Sequence, residues 1–213
     1  MTLPAEVYVV GTRTFAAEVA DFAEEAGARV AGLLESVDRE RVGRAIHDLL
    51  VVSWLDDGPA GRVRSVLLGT GEDDRRDTVR RVLAAGWEPV TLVHPRAHVA
   101  RSSRVGPGAV VGPGVVIGAR SSIGDYAVVG RGALIGHHTE VSAFATLGPG
   151  ANVAGNVRIG EGARVGMAAV VRDHVAVGAA ALVAMGAVVV ADVAPGTAVR
   201  GLPAVAFDVR AST

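Results

Sequence analysis

The sequence predicts two folds in series: a small α/β region with a parallel sheet, and then a parallel β-solenoid. The solenoid rests on two observations. From Val99 to Val189 an aliphatic residue falls at every sixth position without an insertion, through Val105, Val111, Ile117, Ile123, Val129, Ile135, Val141, Leu147, Val153, Ile159, Val165, Val171, Val177 and Val183. The residue after each is usually Gly, and the residue four past each is always Ala, Ser, Thr or Val. A period of six fits neither a helix at 3.6 nor a strand at 2. It fits a coil of three short strands, each turned by one hexad. The aliphatic residue then fills the prism interior, and the small residue shares that interior near a corner. Gly is expected at the corner because it tolerates positive φ. The third observation is composition: half the residues are hydrophobic but only 4% are aromatic, so the core is aliphatic and built on small residues.

The α/β region is read over residues 1–93. Val7–Val10 is a short apolar strand ending at Gly11. Helical spacing follows over 14–27, with Phe15, Val19, Phe22 and Ala26 on one face. Arg29–Leu34 reads as a second strand, and Val66–Leu68 as another, stopped by Gly69-Thr70-Gly71. Asp73–Ala85 is a charged amphipathic helix with Gly86 as its C-terminal stop, and Pro89–Val93 is a last strand. Strands alternating with helices imply a parallel sheet. His94-Pro95 marks the boundary, because the residue before Pro is pushed to extended geometry. The solenoid spans 94–193, and 194–213 is a C-terminal tail beginning around Pro195-Gly196.

Formal net charge is −1 with no basic run, so nucleic acid is not the expected partner. The absence of cysteine excludes disulfides, thiolate metal sites and a cysteine nucleophile. The N-terminus has no basic segment before an apolar run, and no stretch approaches a membrane span, so a cytoplasmic protein is expected.

This layout resembles the left-handed β-helix sugar acetyltransferases related to sialic acid O-acetyltransferase and the UDP-4-amino-sugar N-acetyltransferases. The resemblance covers nearly the whole chain. Its marks are the strand ending Val9-Val10-Gly11, the junction Leu92-Val93-His94-Pro95, the hexads, Ile135-Gly136-His137, Gly148-Pro149-Gly150-Ala151 and Gly201-Leu202-Pro203-Ala204. It implies a Rossmann-like N-terminal domain that binds the acceptor, a left-handed prism, a homotrimer, and transfer of an acyl group, with acetyl the expected one, from coenzyme A to an amino or hydroxyl group of a sugar or nucleotide-sugar-like acceptor.

Acyl transfer needs a base of near-neutral pKa, which histidine supplies. His137, two past Ile135, points out of the prism and matches the family's catalytic histidine. His138 stands where the family normally has a carboxylate, Thr146 where it commonly has a second histidine, and Gly130 where it often has Asn. Support for His137 is therefore expected from water, another carboxylate or His138, which cannot do the carboxylate's job when protonated. These departures leave two further readings open, a non-catalytic or repurposed trimer and different chemistry in the same cleft. Three hexads make one coil, so residues eighteen apart stack about 4.8 Å apart. Arg120, His138, Asn156 and His174 form one outward column, and His137 shares a column with Asp173 two coils on.

For the cofactor, the resemblance points to the C-terminal coils: Gly166, Ala184, Gly201 and Pro203, with Arg200 or Arg172 supplying a cation. For the acceptor it points to Gly11, Arg13, Glu35 and Gly69 at the strand ends. No metal is expected. The γ-class carbonic anhydrases hold zinc on this scaffold with three histidines, but the spacing of His137, His138 and His174 does not match theirs.

Overall fold

In the computed structural model, which describes residues 3–71 and 75–206, two-residue strands recur with the predicted period of six. The chain divides after Pro95 into two compact units. In the second unit each strand pairs in parallel with the strand three hexads on, as Val116–Ile117 pairs with Leu134–Ile135 and that with Asn152–Val153. The rungs stack into three faces, and the hexad aliphatics from Val111 to Val189 are at most 2% exposed. This is the solenoid that the period of six demands, with its core along the prism axis.

The small residues four past each aliphatic are also interior. Ala169 and Ala181, each at that position, are fully buried, whereas Ala168, Ala179 and Ala180 are exposed. One corner column carries hydroxyls instead of methyls. Ser103 Oγ donates to Gly118 O and accepts from Ser121 N, Ser121 Oγ donates to Gly136 O and accepts from Thr139 N, and Thr139 Oγ1 donates to Ala154 O. Each hydroxyl thus bridges two rungs at a turn where the backbone groups would otherwise lack partners.

The reason for the repeated glycine differs from the expectation. None of the glycines that follow a hexad aliphatic has positive φ. They are required because the next rung's backbone passes where a Cβ would sit: 2.4 Å from Ala179 N at Gly160, and 2.5 Å from Ala143 N at Gly124. The left-handed residue comes two positions later, at Gly114, Gly132 and Gly150, but also at Arg120, Tyr126, His138, Phe144, Asn156, Ala168, His174 and Ala180.

The solenoid also runs beyond its expected end. The turn after Val189 is two residues short, so Val193 pairs with Val177 and Val199 with Val183, sixteen residues on instead of eighteen. Asp192 Oδ1 accepts the Ala176 amide at this shortened turn. Ala198–Arg200 forms a further rung, against which Val205–Ala206 turns back antiparallel. Pro195 and Gly196 lie in a turn inside the solenoid and do not terminate it.

The first unit holds a sheet of β1 (Glu6–Val10), β2 (Arg29–Glu35), β3 (Ala45–Ile46), β4 (Leu49–Trp54), β5 (Ser65–Leu68) and β6 (Glu88–Pro89), in the order β3-β4-β2-β1-β5-β6. All its pairings are parallel except the β3–β4 hairpin, which the sequence reading missed. Helix α1 (Thr14–Glu25) buries Ala16, Val19, Ala20, Phe22 and Ala23, while Phe15 and Ala26 are only half-buried. Helix α2 (Arg75–Ala84) ends before Gly86 at φ +82. Asp73, expected to start it, lies outside the described residues. The expected strand Pro89–Val93 is broken into Glu88–Pro89 and Leu92–Val93. No helix among the described residues is long and apolar enough to cross a membrane.

The two turn positions make opposite demands. Gly160→Ala is expected to lower stability by about 1–3 kcal/mol through overpacking. Ala180→Gly, at φ +54, is expected to raise it by a few tenths to about 1 kcal/mol, the relief of left-handed strain less the added chain entropy. Urea denaturation of the two variants measures both.

Candidate functional site

Parallel strands leave their carboxyl ends at one edge, and the sheet order reverses beside β1, which is flanked by β2 and β5. A crevice is expected outside the strands at such a reversal. A cleft of about 200 Å³ lies there, lined by Gly11, Thr12, Arg13, Thr14, Phe15, Glu35, Ser36, Val37, Arg41, Gly69, Thr70 and Gly71. The four expected acceptor-site residues, Gly11, Arg13, Glu35 and Gly69, are thus brought together. Gly11, at φ +108, binds β2 through its amide to Leu34 O, and a Cβ there would lie 3.0 Å from Gly69 O.

Glu35 builds the cleft floor. Its side chain is 1% exposed. Oε1 accepts the amides of Ser36, Val37 and Asp38, and Oε2 accepts Thr12 Oγ1 at 2.6 Å. Burial pushes its pKa up, but the Thr12 hydroxyl and the three amides outweigh that and hold it below its ordinary 4.5. Arg41 Nη1 donates to Thr12 Oγ1 at 3.0 Å and stands 3.7 Å from Glu35 Oε2, while its Nε meets Asp38. Thr12 therefore links a buried carboxylate to a half-exposed guanidinium at the rim. Sequence reading missed Thr12 and Arg41, since neither spacing nor a motif ties Arg41 to the strand end. Arg13 is exposed and precedes α1, whose N-terminus has no side-chain cap and no acidic residue in its first turn. Helix amides and two arginines make this edge of the cleft electropositive.

In the second unit, His137 and His138 form the turn between Leu134–Ile135 and Glu140–Val141. Both are exposed. The turn is tied to its neighbours by His138 N donating to Ala119 O and by Asn156 N donating to His137 O. The two Nδ1 atoms are 3.1 Å apart and the rings meet edge to face at 85°. The His137 ring lies over Gly155, the residue eighteen on: a Cβ at Gly155 would be 2.7 Å from His137 Cε1 and 2.9 Å from Nε2. Gly155 was missed by sequence reading, although the eighteen-residue register alone pointed to it. Asp173 lies in the rung beyond, 3.7 Å from His174 Nε2.

The expected cofactor residues sit on the last rungs. Gly166 and Ala184 stack on adjacent rungs, Gly201 O accepts the Val188 amide, and Leu202-Pro203 is a cis peptide in the turn that follows. This corner is not the His137 corner. The two lie on opposite edges of the face made by Val116, Leu134, Asn152, Val170 and Val188. Val116, Leu134 and Val170 of that face are 41%, 43% and 39% exposed. A single chain does not bring His137 to Gly166, Ala184, Gly201 and Pro203. Among the described residues no group of three or more His, Asp or Glu is placed to hold a metal ion.

No protein-family model and no curated protein matches the chain. Solved structures do. Perosamine N-acetyltransferase from Caulobacter crescentus, a histidine-to-asparagine variant in complex with CoA and GDP-perosamine, is 30% identical over 97% of this chain and 98% of its own, with a TM-score of 0.89. The acetyltransferase domain of PglB from Neisseria gonorrhoeae FA1090, in complex with acetyl coenzyme A, is 28% identical over 95% and 99%, with a TM-score of 0.86. WeeI from Acinetobacter baumannii AYE shares the fold at 22% identity, covering 94% and 99%, with a TM-score of 0.87.

The lowered pKa of Glu35 has a pH signature. Its contribution to stability is present above its unfolded-state value near 4.5 and is lost as pH falls through the lower folded value. Denaturation of the wild type and of Glu35→Gln from neutral pH downward should show a gap in stability that shrinks below about pH 4.5. A gap that widens on acidification contradicts the assignment.

Proposed function

The chain belongs to the sugar N-acetyltransferases of the hexapeptide-repeat β-helix family, and from that membership we propose that it acetylates the amine of a nucleotide-linked amino sugar. It is an acyl-CoA-dependent N-acyltransferase with acetyl-CoA as co-substrate. The observation that carries the reading is the likeness, over nearly the whole of both chains, to an enzyme holding CoA and GDP-perosamine.

The chemistry follows from the groups in place. The acceptor amine attacks the thioester carbonyl, the new N–C bond forms, and the C–S bond breaks. His137 takes the amine proton through Nε2 and passes it to the leaving thiolate. The nucleotide end of the acceptor fits the strand-end cleft, where Arg13, Arg41 and the α1 amides face an anion. Pantetheine needs little beyond an apolar groove with backbone polar groups, and the rungs carrying Gly166, Ala184, Gly201 and Pro203 offer one.

His137 and the cofactor corner stand on opposite edges of one face. The site is therefore completed between copies, with one copy supplying His137 and its neighbour the thioester. Cyclic closure of three such contacts gives a homotrimer.

Purified protein with acetyl-CoA and a panel of nucleotide amino sugars should release free thiol, and His137→Ala should lower kcat by about two to four orders of magnitude. Gly155→Ala should lower kcat by about tenfold or more by displacing the His137 ring, with the trimer intact by light scattering. Thiol release by His137→Ala at the wild-type rate removes the base. No release with any acceptor, with no thermal stabilisation by millimolar acetyl-CoA, removes the enzyme reading.

A further inference from the structure

We propose that Ser121 is a positioning residue for His137: its buried hydroxyl joins the two ends of the His137–His138 turn and so sets where the imidazole stands over Gly155. The proposal rests on the reading of His137 as the base and adds what aims it.

The hydroxyls of the hexad corners are gathered in one place. Of the positions four past the aliphatics from Val99 to Val189, only 103, 121 and 139 carry a hydroxyl, and the rest are Ala or Val. Ser103, Ser121 and Thr139 stack on consecutive rungs at the corner that holds His137. Ser121 is 3% exposed and Thr139 is fully buried.

These hydroxyls change how the turn is closed. At other corners the turn closes on itself: Ala133 N donates to Gly130 O, Ala145 N to Ser142 O and Ala151 N to Gly148 O. In the His137–His138 turn the same two groups meet through an oxygen. Thr139 N donates to Ser121 Oγ at 3.1 Å, and Ser121 Oγ donates to Gly136 O at 2.8 Å. One hydroxyl, as donor and acceptor together, thus holds the residue before His137 and the residue after His138. On the next rung Thr139 Oγ1 donates to Ala154 O and accepts from Val157 N, which closes the turn that carries Gly155 in the same way.

The rest of the turn has little freedom left. A Cβ at Gly118 would lie 2.7 Å from His137 N, and one at Gly155 would lie 2.7 Å from His137 Cε1. His137 is therefore seated between the rung before and the rung after, with His138 N on Ala119 O and Asn156 N on His137 O. The closure of the turn decides the tilt of its peptides. Nε2 belongs to the outer end of the imidazole, so a small tilt of the backbone is enlarged where the proton is taken. Without the Ser121 hydroxyl, Gly136 O and Thr139 N either lack a partner or close on each other as the alanine turns do. Both outcomes move the His137 peptide.

Three substitutions in the full-length chain and one spectrum test this. Ser121→Ala should lower kcat by about ten- to a hundredfold with KM for acetyl-CoA unchanged, the cost of a misplaced catalytic group. Ser121→Thr should stay within about threefold of the wild type, because Thr139 makes the same pair of bonds one rung on. Ser103→Ala is the matched control. Ser103 Oγ joins Gly118 O to Ser121 N and touches neither end of the histidine turn. It should lose stability to urea as Ser121→Ala does, with kcat within about twofold of the wild type. In proton–carbon NMR without substrate, the His137 Cε1–H resonance should shift in Ser121→Ala and stay in place in Ser121→Thr and Ser103→Ala. A wild-type kcat in Ser121→Ala, Ser121→Thr as slow as Ser121→Ala, or an equal loss in Ser103→Ala each overturns the proposal. A wild type that releases no thiol with any nucleotide amino sugar defeats the functional reading instead. The spectrum then decides the positioning, and a His137 resonance unmoved in Ser121→Ala overturns it.

Discussion

The close approach of one rung's backbone to the next is the constraint on which the second unit depends. Parallel strands pair at about 4.8 Å, and at the corners the turn of one rung passes directly over the residue eighteen positions earlier. A Cβ on Gly124, Gly136 or Gly160 would fall 2.4–2.5 Å from a backbone nitrogen of the next rung. This steric limit, not conformational freedom, sets the glycine period. Conformational freedom is needed two residues later, where the chain turns with positive φ and the sequence tolerates Arg, Tyr, His, Phe, Asn and Ala. The turn residue can be large because its side chain points outward, whereas a Cβ on Gly124, Gly136 or Gly160 would point along the stack.

The same constraint shapes the site. His138 occupies a left-handed turn position, and His137 lies over a glycine whose missing Cβ leaves room for an imidazole. A solenoid corner is thus a rigid mount for two side chains whose relative position is set by backbone hydrogen bonds to both neighbouring rungs. Catalytic geometry held on regular structure costs less in loop ordering than geometry held on a flexible segment. The corner also isolates His137 from the rungs expected to bind the cofactor, which stand across an exposed face.

In the first unit a buried carboxylate organises the cleft. Glu35 is saturated by three amides and a hydroxyl and is held ionised by them. A buried unpaired carboxylate would be costly, and here three of its four partners, Thr12, Ser36 and Val37, line the cleft. The groups left to meet an anion are those at the rim, Arg13, Arg41 and the first turn of α1. The negative residue at the strand end serves the positive ones by orienting Thr12 and, through it, Arg41.

Much of this was legible in the sequence because a solenoid is a local code. Period, interior face and stacking column all follow from counting by six and by eighteen, so the hexad core, the outward aim of His137 and the column through Asp173 could be read from spacing alone. The strand-end residues Gly11, Arg13, Glu35 and Gly69 were pointed to by the family resemblance, and they lie together because parallel sheets expose their carboxyl ends at one edge. What spacing could not decide was set by contacts between distant residues. The rung at Ala198–Arg200 depends on a turn two residues short, which breaks the count while preserving the stack. The β3–β4 hairpin has weak alternation and is held by pairing with β2. Arg41 reaches the cleft through Thr12, 29 residues away. The 3.1 Å approach of His137 to His138 depends on ring orientations that the neighbouring rungs impose. Sequence determined which residues face in and which stack; tertiary structure decided which side chains touch, because contact distance depends on three-dimensional packing that no single period encodes.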